Sequence, residues 1–374
     1  VTTKKEGLKR SKIFNSLKTI DQYKNYPMFG GTEPALVDTI YKQYPNIWKL
    51  YKEMKSLDWD ENEFDYSRCL VEFKTTPKYI SEKMIKTIGW QWEADSVASR
   101  SFLAILMPFS TSTEYWATLV RIADNEHLHA FTYSEIVKLS FENPDEVIQE
   151  IMDFKATQKR LNVLTDTLEK ALHLSKQYWA GLIPLTDELY REVVLKTVIC
   201  ALFLERIQFM ASFGITFTIC STGLFQPIGK AVQKICQDEL EVHSEFGKAV
   251  LGYELKSERG LRCFNELKEW MIELGREIIQ SEFDFIDGIH EDGINLVGTT
   301  PELLKEWVLF NAKDVYRFLG IETNEFVFPK KNPMPLLEDW ININATQAAP
   351  QEQDVAAYKV GVVIDDSEDE VFDI

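Results

Sequence analysis

Residues 123–136 read ADNEHLHAFTYSEI, and within them a glutamate, two histidines and a tyrosine occupy eight positions. The whole chain of 374 residues has five histidines, so two in one short stretch ask for a reason. Glu126 and His129 are spaced to share one face of a helix. Tyr133 follows His129 by one turn on that face. His127 is rotated by about 200° and belongs on the outside. A solvated polar face would account for the Glu/His pair, and a core tyrosine with a satisfied hydroxyl would account for Tyr133. The sharper chemistry that this set offers is a metal site with a redox-active tyrosine beside it.

A second stretch narrows the choice. Residues 193–220, VVLKTVICALFLERIQFMASFGITFTIC, are apolar almost all round and predict a buried helix. Glu205 sits in its middle. A buried carboxylate costs on the order of several kcal/mol unless it is paired or metal-bound. Arg206 lies about 100° round the helix, so a structural Glu205–Arg206 pair or a surface glutamate stays open from this segment alone. Asp95 falls in another largely apolar helix, and ICQDELEVHSEF supplies Glu239 and His243. A helical bundle that binds two metals takes a carboxylate from each of two helices and a Glu/His pair from each of the other two. Asp95, Glu126/His129, Glu205 and Glu239/His243 provide that set in chain order. Each is weak alone; together they are a strong signal. Oxygen and imidazole donors without a thiolate suit iron or manganese better than structural zinc. Phe209 and Phe213 follow Glu205 by four and eight residues, and Ile235 precedes Glu239 by four. They predict an apolar wall that shields a phenoxyl radical on Tyr133.

The elements that must position these groups are helices. Residues 36–56 are amphipathic, and 78–105 carry apolar positions at helical spacing, with Gly89 as a weak point. A third helix starts after Pro108, with Thr111, Ser112 or Thr113 as its N-cap. Residues 144–170, 187–219, 226–253, 262–287 and 301–318 continue the series. No period-2 alternation persists, so the fold is expected to be all-α. Residues 1–35 read as an irregular segment, 36–340 as the helical domain, and 341–374 as a flexible tail. The tail ends in an acidic run closed by hydrophobics, DDSEDEVFDI, a composition suited to docking.

Composition sets the outer limits. Hydrophobic residues make up 45% of the chain, enough for a large core. A net charge of −18 argues against nucleic acid as a partner. Five scattered cysteines without a CxxC pair argue for reduced thiols in the cytoplasm. The first residues lack the apolar core of a signal peptide. No membrane span is expected.

The motifs together resemble those of the small, radical-generating (beta) subunit of class I ribonucleotide reductase, of the tyrosyl-radical di-iron type. The resemblance runs from about residue 36 to the end. NEHLHAFTYSEI is similar to the family's SETIHSRSYTHI, which makes Glu126 and His129 metal ligands and Tyr133 the radical tyrosine. EADSVASRS and ALFLERIQFMASF similarly place Asp95 and Glu205 as ligands, with Phe209 and Phe213 in the radical pocket. SLDWDENEFD resembles SFWTAEEID, which puts Trp59 in the radical-transfer chain with Asp238. APQEQDVAAYKVG resembles APQEVEVSSYLVG and gives Tyr358 and Glu352 the same role in the tail. One departure stands out. The family reads D-E-x-x-H in the last metal helix, whereas DELEVH brings His243 one residue late. A π-bulge could absorb the extra residue, or Glu241 could enter the ligand shell instead.

The resemblance implies a ferritin-like bundle with extra helices and a di-iron centre that activates dioxygen to make a stable radical on Tyr133. It also implies a homodimer, and a large (alpha) subunit that docks the tail and reduces ribonucleotides to deoxyribonucleotides. Manganese or mixed-metal loading, a di-metal oxygenase acting on its own substrate, and an iron-storing helical protein are the rival readings.

Overall fold

The computed structural model describes residues 12–342. Glu352, Tyr358 and the tail from 343 onward lie outside the described residues, as do residues 1–11. Among the described residues the elements are helical, and the one β-type contact is an isolated bridge between Phe29 and Ser110. Seven long helices build the bundle: α1 (Lys78–Leu106), α2 (Thr113–Ser140), α3 (Lys155–Trp179), α4 (Asp187–Cys220), α5 (226–254), α6 (Lys268–Ile289) and α7 (Pro301–Leu319). α1 packs along α2 and α3, α4 lies against α1 and α7, and α6 joins α3 to α7.

The start of α2 shows how local chemistry fixes an end. Of the three candidate caps, Ser112 serves: its Oγ accepts from the Tyr115 amide at 3.1 Å. Glu114 in the first turn also accepts from the Gln43 amide at 2.7 Å and the Tyr26 hydroxyl at 2.8 Å. That buried carboxylate ties the N-terminal segment to the bundle.

Several boundaries differ from the sequence reading. The helix expected over 36–56 begins only at Pro45, which takes the first helical position, and Ile20–Lys24 forms a short capped helix inside the segment read as irregular. The stretch 144–170 breaks at Phe154 into Pro144–Asp153 and α3. Gly89 does not weaken α1. A Cβ there would lie 2.8 Å from Ile151, so the glycine is where Pro144–Asp153 crosses α1 closely.

By length and composition α4 is apolar enough to cross a membrane, yet 89% of its most apolar window is buried in the bundle. It is a core helix, as its all-round apolarity predicts. The ladder of α4 widens to π geometry at Tyr190–Leu195 and Leu204–Gln208, and that of α5 at Asp238–His243. In the second of these the Phe209 amide donates to the Leu204 carbonyl, five residues back, at 3.3 Å. The Leu204–Gln208 and Asp238–His243 turns pack against each other. All five cysteines are buried and free.

Candidate metal centre

The structure brings the six expected donors into one place. The donor atoms of Asp95, Glu126, His129 and Glu239 lie within 4.8 Å of one another, and so do those of Glu126, Glu205, Glu239 and His243. Glu126 and Glu239 belong to both groups. Asp95 comes from α1, Glu126 and His129 from α2, and the other three from the π turns of α4 and α5. All are buried, His243 being the most exposed at 4%.

The late histidine is accommodated by the wide turn. With one residue added to the Asp238–His243 turn, His243 Nδ1 still lies 2.8 Å from Glu239 Oε2 and 3.2 Å from Glu126 Oε1. Glu241 stays out of both groups; its Oε2 accepts from Gln237 Nε2 at 3.2 Å. Arg206 does not pair with Glu205. Its Nη2 sits 3.7 Å from Asp314 on α7.

The donor chemistry fits divalent cations. Both oxygens of Asp95, Oε2 of Glu126 and Oε2 of Glu205 are buried with no hydrogen-bond partner among the described residues. Such groups are costly unless a cation satisfies them. Burial and then the Glu126 charge push Asp95 well above the usual carboxylate range, and burial with Glu239 and Glu126 does the same to Glu205. Burial opposes protonation of His243, but Glu239 and Glu126 outweigh it and raise the imidazole to about 10. His129 is raised in the same way, chiefly by Asp238 and Glu239. Burial alone would raise Glu239, but the two imidazoliums hold it below the usual range.

Tyr133 has no exposed surface, and its hydroxyl has no hydrogen-bond partner among the described residues. Burial, then the charges of Asp95 and Glu239, push its pKa well above the ordinary value. Phe209, Phe213 and Ile235 are fully buried. The Phe209 and Phe213 rings stack at 5.4 Å, and the column continues through Phe217 at 6.1 Å to Trp340 at 5.3 Å.

On the other side of His129, Asp238 Oδ2 lies 3.2 Å from His129 Nε2 and accepts from Trp59 Nε1 at 2.8 Å. The Trp59 ring lies nearly parallel to His129, 6.0 Å away. His127 is on the surface, as expected. Sequence reasoning missed Asn125. Its Nδ2 donates to Asp238 at 3.2 Å and its Oδ1 faces His243 Nε2 at 2.9 Å, so one amide spans both sides of the site. Its position, four residues before His129 and therefore on the same face, was the available signal.

The family model described as "Ribonucleotide reductase, small chain" matches residues 39–333. The chain belongs to that family. The beta subunit of ribonucleoside-diphosphate reductase 1 from Escherichia coli O157:H7 is 25% identical to this small chain over 369 residues, covering 95% of it and 96% of the relative. The beta subunit from Enterobacteria phage T4 is 21% identical over 370 residues, covering 93% and 95%. Among solved structures, the ribonucleotide reductase R2 subunit from Clostridium botulinum matches with a TM-score of 0.72 at 15% identity, over 89% of this chain and 99% of that one. Dimanganese(II)-NrdF from Streptococcus sanguinis matches with 0.63 at 18% identity, over 82% and 99%. The small chain therefore has the ferritin-like helical fold and is a class I ribonucleoside-diphosphate reductase subunit. That membership sets aside the direct-oxygenase and iron-storage readings.

Proposed function

We propose that this small chain makes and stores the radical used by its reductase, as a stable tyrosyl radical on Tyr133. Asp95, Glu126, His129, Glu205, Glu239 and His243 would hold two iron ions; Glu126 and Glu239 belong to both donor groups. Bound there, the ions would supply dioxygen activation and the oxidising power to take one electron and the hydroxyl proton from Tyr133, both consumed in reducing dioxygen toward water. The residues do the rest. Burial keeps water and reductants from the phenol, with Phe209, Phe213 and Ile235 as the apolar wall. Trp59, Asp238 and His129 form a hydrogen-bonded line away from the site for electron transfer. The domain 36–340 houses this machinery, and the tail 341–374, with Glu352 and Tyr358, would pass the radical to a large subunit. A homodimer working in the cytoplasm completes the reading.

The observation that carries it is the fully buried, unpartnered Tyr133 hydroxyl beside a cluster of unsatisfied carboxylates. A second reading keeps the site and changes the metal to manganese. It is favoured by a donor set that suits both ions and by the dimanganese(II) state of one structural relative. The test is to load metal-free protein with Fe(II) without oxygen, admit oxygen, and record EPR and visible absorption. A phenoxyl signal in the native chain, lost in Tyr133→Phe with iron still bound, is expected. Iron uptake with no radical in the native chain would point to manganese; an unchanged radical in Tyr133→Phe would move it to another residue.

A further inference from the structure

The wide turn that presents Glu205 ends at Gln208, where the ladder returns from i→i+5 to i→i+4 bonding. That residue is tied twice to α3. Arg160 Nη2 donates to the Gln208 carbonyl, and Gln208 Nε2 donates back to the Arg160 carbonyl at 3.1 Å. Arg160 Nε in turn meets Glu282 Oε1 of α6. The guanidinium lies between two rings, 3.9 Å from the centroid of Trp90 and 4.1 Å from that of Phe285. Both charged side chains are completely buried.

As a charge pair this arrangement brings little. Burial pushes Glu282 up to about 7 against the pull of Arg160, and burial also lowers Arg160. Buried ion pairs can often be replaced by apolar residues without loss of stability. What apolar residues could not do is hold the Gln208 carbonyl. The flat guanidinium fork can grip a carboxylate and a carbonyl at once; a lysine ammonium has no such fixed fork. The turn it fastens carries Glu205 and leads directly into the stacked Phe209 and Phe213.

We infer that Arg160, braced by Glu282, is a positioning residue that locks the π turn and so aims Glu205 at the second metal position. The inference rests on Glu205 being a metal ligand. The test uses the full chain, metal-free and then titrated with Mn(II), with hydrogen exchange, EPR and thermal melting as readouts. Arg160→Lys and the double variant Arg160→Met/Glu282→Met are compared with native protein and with Glu205→Ala.

In both Arg160 variants, amides of 206–212 should exchange faster before any metal is added. The second Mn(II) should bind about 10- to 100-fold more weakly, as for other residues that orient a ligand. The EPR signal should then change from that of two coupled ions to that of an isolated one, while the helical melt stays cooperative. Coupled ions at native affinity in both Arg160 variants, with Glu205→Ala giving the isolated signal, would overturn the inference alone. Coupled ions in Glu205→Ala would overturn the ligand reading beneath it. Failure of both Arg160 variants to fold would also overturn the inference, because the pair would then be holding the bundle and not the turn.

Discussion

His243 is held protonated by the carboxylates around it, with its pKa raised from 6.5 to about 10. A metal ion needs the neutral imidazole. Metal uptake at pH 7 should therefore release protons, detectable with an indicator dye in weak buffer, and affinity should rise with pH toward about 10. The sign of the stability effect follows. A raised folded-state pKa gives stabilisation that is complete below 6.5 and lost as pH rises through about 10. Metal-free protein should become easier to unfold with urea across that window, and loaded protein should not. Uptake without proton release would contradict the charged state described. The clustered donors were legible as candidates because a carboxylate set in an apolar helix must be neutralised by something, as at Asp95 and Glu205. Asn125 and Arg160 were not. Each sits among polar neighbours, in ADNEHLH and KATQKRLN, where nothing in residue type separates a buried group from an exposed one.

The helices were legible from their 3.6-residue period; of the departures from it, the one at DELEVH was offered as a π-bulge, and the wide turns of α4 were not foreseen. The DELEVH spacing announced an extra residue, and only the fold shows that a wide turn takes it up while Glu241 points away. Deleting Glu241 should return that turn to α geometry, with Glu239 and His243 three apart and still on one face. Two coupled Mn(II) ions per chain by EPR are expected; loss of metal would mean that the wide turn itself shapes the site. Gly89 was misread because sequence shows a helix-weakening residue but not the neighbour that demands it. Gly89→Ala should push Pro144–Asp153 away and lower unfolding free energy by about 1–3 kcal/mol. A variant as stable as the native chain in urea titration would rule out that close crossing.

At the scale of the whole molecule, the bundle closes without the tail. Trp340 stacks on Phe217, and its Nε1 donates to Ser221 Oγ at 2.9 Å, just before the described residues end at Asn342. Removing 343–374 should leave the Tyr133 radical intact by EPR and abolish ribonucleotide reduction with the large subunit; undiminished turnover would sink the proposed role of the tail. The acidic end of the tail was readable as composition, whereas its root on Ser221 depends on packing that no local pattern records. The sealing of the donor cluster has one more consequence. With at most 4% of any donor residue exposed, an ion cannot arrive by simple diffusion. It must wait for the protein to breathe. Regular helical bonding is already interrupted at the widened turns; Leu204–Gln208 is fastened to α3, so the Asp238–His243 turn, with Leu240 and Glu241 part-exposed, is the natural door. The speed of metal loading would then level off as metal is added, timed by the opening of that door and not by the supply outside.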